Sequence, residues 1–560
     1  MGLIHEYPVI SPEPRTSSIM TSESKPYHLK FIFPLTVLLG GVALFSHLGY
    51  LLVDSGSDEA RRAAVSLEMI LRDDYITPTL NGQLYLNKPP LYNWIIIFFY
   101  KLAGNYSGFT LRLPMILSLL LFAWLIYYFT KKFTGRVVVA YIAACGFVTS
   151  GTVLFWDSFQ GLIDISYSMV TYLSFMLAYY FGSRQKWLLL FLTTYFLAAV
   201  GFLMKGLPSV LFQGILLLVY FLFERRFRRL LTWQHLAGIL LFAGLLGIYY
   251  GIYFSRNDIS VMTLADNLIH ESVKKTPAES SLGQFVRHAV RFPLDNLYDF
   301  FPWLFMITVL IRKDLRSIIR QNRFIAFCTW LFLVNYVIYW MSPGTVPRYL
   351  FMLIPLLYTT IFYLFYESTS IRSWRRRIPE LCLGGATVLL ALGVWVLPFV
   401  QFQVPLNQVW LKVAFLSGAF GLAAWCYFKF QPARLPILVI VLLLARMTFN
   451  WFSMTQRGAK FIREKEATAR IISVAAGRPI YVYPMDLFYH MDGYAFFFAE
   501  SQGAILPGKK EIEYGALYII DSGELLDIPY RKYLELKIPH LPRPGFLVEF
   551  IPPDTDGTVP

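Results

Sequence analysis

The sequence predicts a mostly α-helical protein that crosses a membrane many times and ends in a small α/β domain. Of its 560 residues, 56% are hydrophobic and 15% are charged, and the mean hydropathy is +0.51. A soluble chain of this length would be far more polar. Two further observations complete the prediction, namely basic connections between the apolar segments and a change of composition after residue 455.

Apolar segments with the length of a membrane-spanning helix follow one another along the first 455 residues, and they predict about thirteen spans. They lie at roughly 31–53, 110–130, 137–155, 162–182, 187–204, 207–223, 236–254, 299–311, 323–341, 347–366, 380–398, 409–428 and 435–453. Every second connection is rich in Lys and Arg, as in TKKFTGR, ERRFRR and IRSWRRR. Since such residues mark cytoplasmic loops, the N-terminal tail (1–30) is predicted to be cytoplasmic. The loops 54–109 and 255–298 and the C-terminus are predicted on the opposite, outer face.

The net charge of +15 does not indicate a nucleic-acid-binding protein, because the predicted cytoplasmic loops account for the excess of Lys and Arg. The four cysteines, Cys145, Cys328, Cys382 and Cys426, lie in or beside apolar segments. None belongs to a CxxC motif or a Cys/His cluster, so we expect neither a disulfide framework nor a structural zinc site.

Two segments of the first outer loop are predicted to be helices that lie along the membrane surface rather than cross it. Residues 58–72 place apolar side chains at helical spacing with polar ones between them. Residues 91–104 begin after the Pro89–Pro90 pair, are short for a crossing, and are rich in aromatic residues suited to the interface.

Residues 456–560 differ in kind from the apolar segments before them. PIYVYP, ALYIID and FLVEFI have the composition of short strands, and a helical stretch near 486–500 lies between the first two. We therefore expect a small α/β domain on the outer face. The apolar region, 31–455, is expected to form a separate transmembrane domain.

The first outer loop also carries a cluster of charges. Asp58, Arg61 and Arg62 fall at i, i+3 and i+4, so a helix places them on one face. A solvated charged face would explain this spacing without any function. Beside a membrane, however, charges are costly unless they contact water, a headgroup or a substrate. Lys88 stands just before two prolines that stiffen its backbone, which favours a binding site.

The first outer loop contains a long motif, namely Asp58-Glu59-x-Arg61, Asp74-Tyr75, Pro78, Asn81-Gly82, Tyr85 and Lys88-Pro89-Pro90-Leu91-x-x-Trp94. In this motif it resembles the first outer loop of the GT-C membrane glycosyltransferases. It is similar to two branches of that family, the bacterial aminoarabinose lipid A transferases and the protein O-mannosyltransferase-like enzymes that use dolichyl- or undecaprenyl-phosphate sugars. The similarity continues more weakly in LRLPMILSLL, DISYSM, LMKGLPSVLF and FFPWLF, so that it covers most of residues 31–455.

The resemblance implies a GT-C fold and an inverting transfer of one sugar from a polyprenyl-phosphate donor, undecaprenyl phosphate in a bacterium. The acceptor is a hydroxyl or phosphate on the outer face, on lipid A, another envelope glycan or a protein. It implies a multi-pass protein of the bacterial inner membrane, with the active site and the C-terminal domain in the periplasm. The implied partners are therefore the lipid-linked donor, the acceptor and the membrane lipids.

The resemblance also assigns roles to residues, and their chemistry agrees with those roles. Asp58 has the family's position for the general base that an acceptor hydroxyl needs. Arg61 and Lys88 have the positions that hold the donor phosphate, which leaves with its charge neutralised. Arg348, at the outer start of a predicted span, is a candidate for a third phosphate ligand.

Further side chains are candidates for the sugar or acceptor pocket. Each of them also has a structural explanation, such as helix orientation for Glu59 or snorkelling to the surface for Lys205. Arg446, inside the last predicted span, is expected to form an ion pair. The loop with Lys274 and Lys275 is expected to form a flexible lid or to contact the acceptor. The pocket candidates are Glu59, Tyr85, Asp157, Asp164, Lys205 and His270.

The expected site needs no cofactor. Some relatives bind a divalent cation with a Glu directly before the lysine of the KPP motif and a His in the later outer loop. Here Asn87 precedes Lys88, and an amide is a poor substitute for a carboxylate ligand. The His270–Glu271 pair alone does not complete a metal site, so no metal is expected.

Three other functions stay open from the sequence. A polysaccharide polymerase or ligase acting on lipid-pyrophosphate glycans would favour several outer-loop arginines over a single carboxylate base. A transporter of lipid-linked substrates would show internal repeats and ionisable residues at mid-membrane, whereas the sequence shows no repeat and carboxylates at the outer rim. A membrane scaffold would leave the charged first outer loop without a purpose.

Overall fold

The structure is a computed structural model, and it describes most of the chain. The described residues are 27–49, 57–273, 282–367, 369–370, 372–484, 487, 491–509, 511–523, 528–538 and 541–552. Lys274 and Lys275, predicted to belong to a lid or to contact the acceptor, lie outside the described residues.

Most of the described chain is helical, as predicted. The helices are α1 (Tyr27–Phe45), α2 (Asp58–Leu71), α3 (Leu91–Ala103), α4 (Gly108–Thr134), α5 (Val137–Val148), α6 (Gly151–Phe155), α7 (Ile163–Gly182), α8 (Trp187–Lys205), α9 (Pro208–Phe223), α10 (Trp233–Arg256), α11 (Val261–Val273), α12 (Leu282–Asp299), α13 (Leu315–Gln321), α14 (Arg323–Trp340), α15 (Ile354–Glu367), α16 (Trp374–Gly393), α17 (Val409–Lys429), α18 (Arg434–Phe449), α19 (Thr455–Ala475) and α20 (Asp492–Gln502).

Seven helical segments of the described chain are long and apolar enough to cross a membrane, and an eighth forms if α5 and Gly151–Phe159, bent by 48°, count as one span. The chain is therefore a multi-pass membrane protein, while the count of about thirteen spans stays a prediction. The predicted span at 299–311 contains a 3₁₀ helix of only eight residues, Trp303–Leu310. Likewise, the segment at 347–366 begins with a short 3₁₀ turn before α15.

Helix α2 forms where the first outer loop predicts it. Ser57 caps the helix, since its Oγ accepts a hydrogen bond from the backbone N–H of Ala60 at 3.1 Å. Asp58 and Glu59 stand in the first turn, where the helix dipole favours carboxylates. The helix packs against α3 and α20 and is buried on nearly all sides. Protein rather than lipid therefore covers its apolar face.

Helix α3 differs from α2 because one side of it stays uncovered. Tyr92, Ile96 and Tyr100 are buried, whereas Phe98 and Leu102 are exposed. This exposed apolar side suits the surface position predicted for the helix.

A two-stranded hairpin connects α2 to the KPP motif. Strands β1 (Thr79–Leu80) and β2 (Gln83–Leu84) pair antiparallel around Asn81 and Gly82, whose φ angles are 54° and 77°. An Asn-Gly pair adopts these left-handed conformations readily, which explains the tight turn. The turn is tied to α2 because the Glu68 carboxylate accepts hydrogen bonds from Thr79 Oγ1 and from the backbone N–H groups of Asn81 and Gly82.

The C-terminal region contains the predicted sheet. Its strands are β3 (Ile480–Val482), β4 (Leu517–Asp521), β5 (Tyr530–Leu536) and β6 (Gly545–Phe550), in the order β3-β4-β6-β5. Strand β3 runs parallel to β4, and the other pairs are antiparallel. The three predicted strands and the helix between the first two are confirmed, whereas β5 and the long helix α19 were not predicted.

Helix α20 joins the two parts of the protein. Met491, just before the helix, and Tyr494 pack into the core of the sheet together with residues of α19. Phe496, Phe497 and Ala499 instead belong to the core of the transmembrane region. The C-terminal region therefore packs against α2 and the transmembrane region through α20.

Candidate active site

A cavity of about 460 Å³ lies beside the N-terminal half of α2. Its walls come from α2, the loop after β2, the start of α7, the end of α8 with the start of α9, the end of α14 and the 3₁₀ turn Pro347–Leu350. Seven of the residues predicted from the sequence line this cavity: Asp58, Arg61, Tyr85, Lys88, Asp164, Lys205 and Arg348.

Ion pairs connect side chains of opposite charge along the cavity wall. The Nη2 atom of Arg348 lies 3.0 Å from Oδ2 of Asp58, and its Nε lies 3.4 Å from Oδ2 of Asp164. The Nζ atom of Lys205 lies 2.5 Å from Oδ1 of Asp164 and also sits over the ring of Tyr349. Arg348 thus links the predicted base to the predicted sugar-pocket residues, which come from separate helices.

Asp58 is accessible from the cavity. Its side chain is 57% exposed, although Arg348 contacts one carboxylate oxygen. The other oxygen, Oδ1, lies 3.6 Å from Nη1 of Arg61, one helical turn away. A carboxylate held this way is fixed in direction and still able to accept a proton from a bound molecule.

Arg61 also contacts a residue of the C-terminal region. Its Nε and Nη2 atoms both lie 3.1 Å from Oδ2 of Asp492, at the start of α20. The Asp492 side chain is fully buried. Burial raises the pKa of Asp492 to about 6, against the opposing effect of Arg61.

Arg62 also lines the cavity, although no catalytic or binding role was predicted for it. Its Nη2 donates to the hydroxyl of Tyr85 at 2.6 Å, and its Nη1 donates to Oδ1 of Asn93 at 3.1 Å. The guanidinium is therefore buried and held from two sides, with its charge next to the cavity. Its position four residues after Asp58, on the same face of a helix, is the sequence feature that could have predicted its place in the site.

Lys88 lies in a strongly positive environment. Burial lowers the pKa of Lys88 to about 8, and the charges of Lys205 and Arg62 act in the same direction. The carboxylates of Glu271 and Asp164 oppose this effect but do not outweigh it. A bound anion would relieve the repulsion between these cations, so the cavity is built to attract one.

Glu59 is not a pocket residue, which corrects one of the sequence expectations. Its two oxygens lie 2.7 and 2.9 Å from Nε and Nη2 of Arg112 on α4, and Oε1 also accepts from the N–H of Gly161. The buried Arg112 donates further to the carbonyl of Leu48. Glu59 therefore fixes α2 to α4 and to the turn before α7, because one step along the helix turns its side chain about 100° away from that of Asp58.

Asp157 and His270 are also placed outside this cavity. Asp157 accepts a hydrogen bond from Thr152 Oγ1 at 2.8 Å and lines a second cavity of about 570 Å³. Arg348 lines both cavities and thus forms part of the wall between them. His270 is exposed on α11, and its neighbour Glu271 lines the first cavity instead.

The described residues bring no metal-binding group together. Among them, no cluster of three or more His, Cys, Asp or Glu side chains could hold a metal ion. Asn87 lines the cavity with an amide, and His270 does not reach it. That the protein requires no metal stays a prediction.

Arg446 forms no ion pair with any carboxylate of the described residues, contrary to the expectation. Its Nη1 donates to Ser158 Oγ at 2.9 Å, and the guanidinium lies 3.2 Å from the centre of the Phe159 ring. Its Nε and Nη2 have no hydrogen-bond partner among the described residues. The cation–π contact takes the place that a carboxylate was expected to fill.

The structural comparison defines the fold class: the helices have the arrangement of the GT-C membrane glycosyltransferase fold, as predicted. The structure matches the crystal structure of ArnT from Cupriavidus metallidurans bound to undecaprenyl phosphate, with a TM-score of 0.61 and 17% identity. The match covers 92% of this chain and 98% of that one. The same protein in the apo state matches with a TM-score of 0.59.

Sequence comparisons point to the same relatives. The model of the dolichyl-phosphate-mannose-protein mannosyltransferase family matches residues 87–250. The undecaprenyl phosphate-α-4-amino-4-deoxy-L-arabinose arabinosyl transferase 1 of Proteus mirabilis (strain HI4320) is 29% identical over 182 residues, which cover 32% of this chain and 33% of that one. The protein of the same name from Pseudomonas fluorescens (strain Pf0-1) is 24% identical over 352 residues, 59% of each chain. The chain thus spans a third to somewhat over half of these relatives, and the predicted resemblance is confirmed.

Proposed function

We propose that this protein is an inverting glycosyltransferase that moves one sugar from an undecaprenyl-phosphate donor to an acceptor at the outer face of the bacterial inner membrane. The observation that carries the proposal is the cavity lined by five cationic side chains together with the accessible carboxylate of Asp58. The cations are Arg61, Arg62, Lys88, Lys205 and Arg348.

The charge balance of the cavity suits a departing phosphate. Its five cations face three carboxylates, Asp58, Asp164 and Glu271, which leaves a surplus of two positive charges. A sugar phosphodiester carries one negative charge, and the phosphate monoester that leaves carries between about 1.5 and 2 near neutral pH. The attraction therefore grows as the bond breaks, which is what accelerates a reaction.

Asp58 would act as the base. It takes the proton of the acceptor hydroxyl while that oxygen attacks the anomeric carbon on the face opposite the phosphate. A new carbon–oxygen bond forms, and the bond from the anomeric carbon to the phosphate oxygen breaks with its electron pair on phosphate. The cations neutralise this charge, so the leaving group needs no acid to protonate it.

The lipid part of the donor has an apolar path into the cavity. Leu207, Leu211 and Phe212 at the start of α9 and Ile338 on α14 line one side of it. Leu211 is about half exposed, so this side opens towards the outside of the helix bundle. A polyprenyl chain lying there would place its phosphate among the cations.

The second cavity provides a separate approach for the acceptor. It combines aromatic surfaces at Trp156 and Phe449 with the carboxyl groups of Asp157 and Asp299 and the guanidinium of Arg457. Because Arg348 lines both cavities and contacts Asp58, an acceptor bound there would be separated from the base by this one side chain. Lipid A is the first acceptor to test, and other envelope glycolipids and proteins follow.

The proposal can be tested with the protein in lipid nanodiscs. Binding of undecaprenyl phosphate is measured first, followed by transfer from radiolabelled undecaprenyl phosphate-α-4-amino-4-deoxy-L-arabinose to lipid A. The anomeric configuration of the product is read by NMR. Transfer with inversion supports the proposal, and transfer from a different undecaprenyl-phosphate sugar changes only the sugar. If undecaprenyl phosphate does not bind and no such donor is consumed, the proposal is wrong.

A further inference from the structure

The C-terminal domain places a buried carboxylate against the catalytic helix. Asp492, at the start of α20, contacts Arg61 with one oxygen, Oδ2, at 3.1 Å from both Nε and Nη2. The two residues are 431 positions apart in the chain. The other oxygen, Oδ1, is buried and has no hydrogen-bond partner among the described residues. A half-satisfied buried carboxylate is costly, so its presence calls for an explanation.

Domain docking alone does not explain this carboxylate. Phe496, Phe497 and Ala499 of the same helix are buried in the core of the transmembrane region, and they supply the apolar contact that holds α20 in place. A buried ion pair, by contrast, seldom stabilises a fold more than apolar side chains of similar volume would. The pair with Arg61 therefore adds little to docking but fixes the direction of the guanidinium.

The direction of Arg61 matters because its next carboxylate is the proposed base. With one edge held by Asp492, Arg61 keeps its Nη1 3.6 Å from Asp58 and lines the cavity. Without Asp492, the nearest anion for the whole guanidinium would be Asp58. A close pair there would make Asp58 a weaker base and turn Arg61 away from the donor phosphate.

We propose that Asp492 is a positioning residue that holds Arg61 towards the donor phosphate and away from Asp58, so that the C-terminal domain completes the active site. The inference rests on the proposed function, since it concerns how that site binds and reacts. It gives the C-terminal domain a part in the reaction itself.

The test is a double-mutant cycle in nanodiscs with Asp492→Asn, Arg61→Ala and the double variant. We expect Asp492→Asn to weaken undecaprenyl phosphate binding and to lower kcat, so that kcat/KM falls at least about tenfold. If Asp492 acts through Arg61, the double variant should be no slower than Arg61→Ala alone. A general loss of structure would instead make the two losses add.

Glu500→Gln is the matched control. It removes a carboxylate from the same helix and breaks the Lys465–Glu500 pair, whose atoms lie 3.6 Å apart, without contacting the cavity. It should keep the activity of the wild type. Thermal unfolding of every variant checks the fold, and Asp492→Glu serves if Asp492→Asn does not fold. That variant keeps the charge but shifts it by one methylene, so it should fold and still lose kcat/KM.

The outcomes separate the two proposals. If wild type binds and transfers but Asp492→Asn behaves like the Glu500→Gln control, the role of Asp492 is refuted and the proposed function stands. Additive losses in the cycle also refute it, because they show a role independent of Arg61. If wild type itself neither binds undecaprenyl phosphate nor transfers a sugar, both proposals fall together.

Discussion

The two faces of helix α2 use the same chemical group for different purposes. On the cavity face, the Asp58 side chain is 57% exposed although Arg348 and Arg61 lie near its two oxygens, so a bound molecule can still reach it. On the core face, the next residue, Glu59, is buried and satisfied by Arg112 and Gly161. The comparison teaches that the partners around a carboxylate, rather than its place in a motif, decide whether it can take part in chemistry.

The strongest contrast is expected from Asp58→Asn. If Asp58 is the base, this change removes proton transfer and should lower kcat by about 10²- to 10⁴-fold. Binding of undecaprenyl phosphate and the thermal unfolding temperature should stay close to those of the wild type, because the side chain is exposed and its shape is kept. Near-normal turnover in a folded variant would remove Asp58 from the mechanism.

Glu59→Gln should instead act on stability. It leaves Arg112 buried without a balancing charge, and breaking such a pair costs about 3–5 kcal/mol. We expect a clear drop in the unfolding temperature or in the yield of folded protein, measured by scanning fluorimetry in nanodiscs. The matched comparison is Asp58→Asn, one residue earlier. Equal stability of the two variants would contradict the division between the faces of α2.

Glu68→Gln tests the core face further along the same helix. Glu68 accepts three hydrogen bonds from the β1–β2 turn, and an amide keeps only part of them. The loss should be about 1–3 kcal/mol of stability. Because the turn leads to Lys88, we also expect a modest loss of donor affinity. Normal donor affinity together with lower stability would show that the position of Lys88 does not depend on the contacts between Glu68 and the turn.

The smallest effect concerns the pH dependence of the cavity face. With a pKa of about 8, Lys88 is charged below that pH and loses its charge as the pH rises through it. Affinity for undecaprenyl phosphate should therefore fall by up to about tenfold between about pH 7 and about pH 9. In Lys88→Arg the side chain stays charged over this range. A fall of the same size in this variant would assign the effect to another group.

Local patterns predicted much of the fold and part of the site. The apolar segments, the two helices of the first outer loop and three of the four C-terminal strands follow from spacing and composition. Strand β5 was missed because charged residues interrupt its sequence, YRKYLEL, which lies mostly exposed at the edge of the sheet. Helix α19 was missed because it is mainly polar and follows the last apolar segment without a break.

Local sequence patterns predicted only some of the residues of the candidate site. Asp58, Arg61 and Lys88 belong to one continuous motif, and all of them line the cavity. Glu59 belongs to the same motif and could not be separated from Asp58, since one step along a helix turns a side chain by about 100° and only the neighbouring helices show which direction is inside. Asp492 gave no signal at all, because its partner is far away in the chain.

The sequence by itself determined that this is a multi-pass membrane protein with a charged loop after its first apolar segment and a small C-terminal α/β domain, because composition and periodicity act over short stretches of chain. Only the tertiary structure decided that Arg348 joins Asp58 to Asp164, that Glu59 faces the core and that Asp492 reaches Arg61. Each of these contacts depends on how distant helices pack together, and distances between such elements are not encoded in local spacing.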